Sequence, residues 1–210
     1  MASTQFRMEH DFLGDREVPS QAYYGVQTLR GAENFPVTGY RIHPALIRAM
    51  GIVKKAAALA NRDTGHLDPK IANAIAAAAD DVIAGKLDEW FIVDPIQGGA
   101  GTSINMNTNE VIANRALELL GHPKGTYGVV SPNTHVNMAQ STNDSFPTGV
   151  HLAAIELGIK LLEELRRLHE AFGAKEKEFD GVIKMGRTHL QDAVPIRLGQ
   201  EFGAYRRVIG

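Results

Sequence analysis

Beyond residue 40, apolar positions recur at helical spacing over most of the chain. Leu46, Ile47, Met50, Val53 and Leu59 form a stripe behind Pro44, which predicts a helix from Pro44 to about Asn61, with Gly65 after its end. Asp68-Pro69 reads as an N-cap followed by a first-turn proline and opens "KIANAIAAAADDVIAG", a second helix that stops at Gly85. A third helix is predicted from about Ile104 to Gly121, amphipathic through Ile104, Val111, Ile112, Leu117 and Leu120. From His151 to about Phe179 the period is carried by Leu152, Ile155, Ile159, Leu162, Leu165, Leu168 and Phe172 without a proline. Such a helix is about 40 Å long at 1.5 Å per residue, too long for a small domain to cover, so it predicts membership of a larger helix bundle. A last helix starts near Leu198 and is cut off at Gly210, which makes the chain read as truncated.

The other segments lack this pattern. Pro19, Gly25, Pro36 and Gly39 punctuate the first 40 residues, which read as an irregular covering arm. "GHPKGTYGVVSPNTH" reads as loop, and a domain boundary is expected near its end, dividing 1–140 from 141–210. "DGVIKMGRTHLQDAVP" breaks the helical period again. The fold class expected is mainly α.

Composition narrows the function classes. The 210 residues are 44% hydrophobic, 22% charged and 7% aromatic, with 22 basic against 24 acidic side chains. There is no basic excess for nucleic acid, no run of about 18 apolar residues for a membrane span, and no signal-peptide core in the first residues. The absence of cysteine removes disulfides, thiolate metal sites and a cysteine nucleophile. The eight histidines show no metal-ligand spacing. A cytoplasmic protein with no bound metal, nucleic acid or membrane is expected.

The candidate chemistry lies in three stretches where small hydroxyl and amide side chains stand among glycines: "GGAGTSINMNTN" (98–109), "NMAQSTNDSFPT" (137–148) and "GRTHLQD" (186–192). Neutral donors of this kind suit a compact polar anion, and a helix N-terminus adds unsatisfied N–H groups. Each has a plain structural alternative: Thr102 or Ser103 as an ordinary cap, Ser141 to Asp144 as caps of the long helix, His189 as a structural histidine. A phosphate loop fails, because Thr102 rather than lysine follows Gly101, and no dinucleotide fingerprint or nucleophile elbow occurs.

Together these stretches resemble the fumarase/aspartase superfamily, and the resemblance runs from "DFLGDREVPSQAYYGVQTLRGAENFPVTG" through "FIVDPIQGGAGTSINMNTNEVIANRALELLG" and "SPNTHVNMAQSTNDSFPT" to "VIKMGRTHLQDAVPIRLGQEF". "GGAGTSINMN", "QSTND" and "SPNTHVN" resemble its aspartate ammonia-lyase branch more than class II fumarases. The resemblance implies an N-terminal helical domain followed by the start of a central helix bundle. It implies cofactor-free, reversible elimination of ammonia from L-aspartate to give fumarate, in a homotetramer that builds each site from three subunits. It places Thr102, Ser141, Thr142, Asn143, Thr188 and His189 around the substrate: the first three on the β-carboxylate, Asn143 on the amine, Thr188 and His189 on the α-carboxylate. The family's Gly-Ser-Ser-x-Met-Pro-x-Lys-x-Asn signature, whose serine is the base, does not occur in these residues. No catalytic residue is therefore expected in this chain, and it is expected to be inactive alone. Class II fumarase and a non-catalytic module on the same scaffold are the alternatives.

Overall fold

A computed structural model describes residues 5–98 and 100–210. The described residues group into two compact units that divide between Ala154 and Ile155, inside a continuous helix. The fold is mainly α, as expected, with two short hairpins added. Among the described residues, no helix is long and apolar enough to cross a membrane.

The first unit opens with an antiparallel hairpin, β1 (Phe6–Asp11) and β2 (Gly14–Pro19), in which Phe6 faces Pro19 and Asp11 faces Gly14. Helix α1 (Val26–Asn34) follows. The expectation of an irregular arm is therefore corrected. The helix escapes a local reading because its caps are remote. Glu110 Oε2 accepts the Gly25 and Thr28 amides at 2.8 and 3.0 Å, its Oε1 accepts Gln27 at 3.0 Å, and Glu9 Oε2 accepts Val26 at 2.8 Å. Both carboxylates are buried. Burial pushes the Glu110 carboxyl up, the amide donors oppose that, and the neighbouring Glu9 charge adds to it.

Helices α2 (Pro44–Asp63) and α3 (Pro69–Ile83) form where proline and cap signals place them. His43 Nδ1 accepts the Ala45 amide, and Asp68 Oδ1 accepts those of Lys70 and Ile71. Gly65 and Gly85, at φ +76° and +74°, follow the two helices. The face of α2 turned inward differs from the expected stripe: Ile47, Met50, Lys54, Ala58 and Asn61 are buried, whereas Val53 and Leu59 are only partly covered.

Helix α4 (Thr102–Leu119) begins two residues before the expected start and is not amphipathic in the expected sense. Ile104, Val111, Ile112 and Leu117 join the core, but Asn105, Asn107, Thr108, Asn109, Glu110 and Asn114 are buried as well. These polar side chains serve the backbone of neighbouring segments: Asn107 pairs with Trp90 O and the Ile92 amide, and Asn114 with Tyr23 O and the Gly125 amide. The helix is a central post whose amides satisfy loops that lack regular partners.

Helix α5 (Thr142–Glu178) starts nine residues before the expected position and accommodates Pro147. Its first turns belong to the first unit. In the second unit its remainder is joined by β3 (Ile183–Thr188), β4 (Gln191–Arg197) and α6 (Leu198–Ile209). The last helix begins where the sequence places it. The expected break in the helical period lies between α5 and α6, and it holds an antiparallel hairpin in which Thr188 faces Gln191. Phe172, Phe179, Phe202 and Tyr205 cluster where α6 meets α5. Ile155, Ile159 and Leu162 remain exposed in this chain.

Candidate functional site

The starts of α4 and α5 are packed together in the first unit. Gly101, the N-cap of α4, has φ +96°, and a Cβ there would run into the Phe146 ring from the second turn of α5. Only glycine satisfies both conditions, so the Gly-rich entry is a requirement of packing two helix N-termini together. The Ile104 amide is accepted by Gln97 Oε1 at 2.8 Å. Thr102 and Ser103 are thus the first two helical residues rather than the cap, and Thr102 is exposed. Gly99 lies outside the described residues.

Ser141, Thr142 and Asn143 form the start of α5. Ser141 Oγ accepts the Asn143 amide at 3.2 Å, and Ser141 O accepts those of Asp144 and Ser145. Ser141 is therefore the cap of this helix and also an exposed hydroxyl; Asn143 is exposed and Thr142 half-buried. Two helix starts that pack at Gly101 and Phe146 and carry hydroxyl side chains form a surface suited to a carboxylate: the positive ends of two helix dipoles, with Asp144 the acidic side chain in their first turns among the described residues.

Beneath Thr142 lies a polar network missed by the sequence reading. Lys54 is 0% exposed. Its Nζ donates to Asn105 Oδ1 at 2.7 Å, Gln140 Oε1 at 2.9 Å and Asn137 Oδ1 at 3.0 Å. Asn105 Nδ2 in turn donates to Thr142 Oγ1 at 3.1 Å. Burial pulls the Lys54 ammonium down to about 7. The signal for this group was present in the pattern: Lys54 falls on the 47-50-54-58-61 line of α2, a core line on which a lysine requires partners.

Thr188 and His189 belong to the second unit, at the tip of β3–β4. His189 and Leu190 have φ of +50° and +61°, the conformation of a tight hairpin turn normally given to Asn or Gly. The turn holds the His189 ring exposed, and non-glycine residues in this region mark a position fixed by its surroundings or its use.

A family model described as "Lyase" matches residues 14–209. The aspartate ammonia-lyase of a Bacillus species is 64% identical over 207 residues, covering 99% of this chain and 44% of that protein. A class II fumarate hydratase of Halobacterium salinarum is 54% identical over 205 residues, covering 97% of this chain and 43% of that protein. A solved Brucella melitensis structure described as fumarate lyase:delta crystallin superposes with a TM-score of 0.90 at 54% identity, over 98% of this chain and 48% of that one. The chain therefore spans less than half the length of these relatives. With the match running through both units and through all three hydroxyl-amide stretches, the chain belongs to the lyase family.

Proposed function

We propose that these residues serve an aspartate ammonia-lyase, which converts L-aspartate reversibly to fumarate and ammonia without a cofactor. A base takes the proton from the carbon beside the β-carboxylate, its electron pair passes through an enediolate-like intermediate into the new double bond, and the C–N pair departs with ammonia. Charge builds on the β-carboxylate, so fixed donors around it contribute much of the rate enhancement. Thr102, Ser141 and Thr142 are assigned to that carboxylate, Asn143 to the amine, and Thr188 and His189 to the α-carboxylate.

The observation that carries this reading is the meeting of two helix N-termini at Gly101 and Phe146, with Thr102 on one and Ser141, Thr142 and Asn143 on the other. The choice of aspartate rests on the 64% identical relative of that name. The domain division at 140/141, a homotetramer with sites shared between subunits, and a cytoplasmic setting belong to the same proposal. The base is assigned to the Gly-Ser-Ser signature absent from these residues, so the 210 residues alone are inactive.

The second reading is class II fumarase, favoured by the Halobacterium relative. Incubating the full-length protein that contains these residues with L-aspartate or L-malate, and following fumarate absorbance, separates the two. Fumarate from L-aspartate supports the proposal, fumarate from L-malate alone replaces it with the second reading, and inertness toward both supports a non-catalytic module. Turnover by the 210-residue chain would overturn the assignment of the base to another segment.

A further inference from the structure

The Lys54 network has a direction. Lysine in its ammonium form is donor-only, and its contacts at 2.7, 2.9 and 3.0 Å are with the amide oxygens of Asn105, Gln140 and Asn137. An Asn105 turned the other way would set its NH2 group against the ammonium, so Lys54 holds Asn105 with oxygen inward and nitrogen outward. Ser145 Oγ stands 3.1 Å from the same Asn105 oxygen and supports that orientation. The NH2 group then donates to Thr142 Oγ1 at 3.1 Å and to Asn137 Oδ1 at 3.2 Å. With its oxygen already accepting, the Thr142 hydroxyl directs its own proton elsewhere, and no acceptor for it is found among the described residues.

We propose that Lys54 is a positioning residue that fixes the hydrogen-bond polarity of Thr142, through Asn105, so that the hydroxyl donates its proton to a substrate carboxylate oxygen. The inference rests on the aspartate ammonia-lyase reading, which gives Thr142 a carboxylate to meet, and goes beyond it by adding two residues that do not touch substrate. A chain with this polarity favours an ionised carboxylate over a group that must donate at the same place. It also accounts for a buried lysine whose hydrogen-bond partners among the described residues are amide oxygens: those dipoles solvate the charge in place of a carboxylate.

The test is a set of coupled substitutions in the full-length protein, with kcat and KM for L-aspartate measured below pH 7, where Lys54 carries its charge, and thermal unfolding measured for each. Lys54→Met removes the shortest of the contacts that orient Asn105, Asn105→Leu deletes the relay while leaving Lys54 two amide partners, and Thr142→Val deletes its end point. Each single change is expected to lower kcat/KM at least about tenfold. Lys54→Met and Asn105→Leu are expected to cost nothing further when Thr142 is already valine, because all three remove the same directed proton. Thr142→Ser, which keeps the hydroxyl, is expected to retain the sensitivity to Lys54→Met. Should Lys54→Met fail to fold, Asn105→Leu carries the same comparison. Effects that multiply in the valine background would show a merely structural role and overturn the inference while leaving the reaction intact. An unsubstituted protein inert toward L-aspartate would overturn the functional reading and this inference with it.

Discussion

Glu110 accepts the backbone N–H of Thr28 at 3.0 Å across 82 residues of chain, and so closes the N-terminus of α1 from the side of α4. The same carboxylate holds the Gly25 and Gln27 amides. Glu110→Gln replaces one oxygen by an NH2 group facing amide donors, and leaves buried N–H groups unsatisfied. A loss of about 2–4 kcal/mol of folding stability is expected. Urea unfolding of the two proteins measures it, and an unchanged midpoint would refute the capping role.

Gly101→Ala tests the junction of α4 and α5. The substitution combines a left-handed backbone at φ +96° with a methyl group directed into the Phe146 ring. About 3 kcal/mol of destabilisation is expected from the two effects together. Phe146→Ala in the same background is expected to recover the steric part and leave the backbone part. Equal stability of Gly101→Ala and the unsubstituted protein would show that the two helix starts are not held together there.

Burial pulls the Lys54 ammonium from 10.5 down to about 7. The unfolded chain keeps that proton up to about 10.5, so between these values the unfolded state binds more protons and stability rises with pH. Below about 7 the cost of burying the charge is fully present. The unfolding free energy of the unsubstituted protein should therefore gain on that of Lys54→Met from pH 7 to 10, by up to about 1.4 kcal/mol per pH unit. Parallel pH dependences would contradict it.

The β3–β4 turn gives a prediction of opposite sign. Leu190 at φ +61° is exposed, so Leu190→Gly relieves backbone strain without removing packing. A gain of about 1 kcal/mol is expected, read from the urea midpoint. A loss of stability would mean that the leucine side chain has contacts the fold needs.

These residues also show what the sequence could disclose. Helices α2 and α3 were legible because their signals are local: Pro44, Asp68-Pro69, Gly65 and Gly85 act on the backbone beside them. Helix α1 was hidden because Glu9 and Glu110 cap it from outside its own neighbourhood. The breadth of α4's buried surface was hidden because Asn107 and Asn114 read as surface residues until the loops they satisfy are in place. The second hairpin was hidden because its strands are mostly exposed and its turn uses His189-Leu190 in place of an Asn-Gly pair. The hydroxyl-amide stretches were legible as composition, and Ser141, Thr142 and Asn143 do gather at one helix start. Lys54 stands out only once the buried line of α2 is known, because the apolar stripe in the sequence runs through Val53, which is only partly covered.

The central claim is that donors at the starts of α4 and α5 hold a carboxylate of L-aspartate during elimination. Its most direct test is fumarate formation from L-aspartate by the full-length protein, measured beside Thr142→Val. The account predicts turnover of L-aspartate but not L-malate, with kcat/KM reduced at least about tenfold by Thr142→Val in a protein that remains folded. Turnover undiminished by Thr142→Val, or none from L-aspartate, would contradict it.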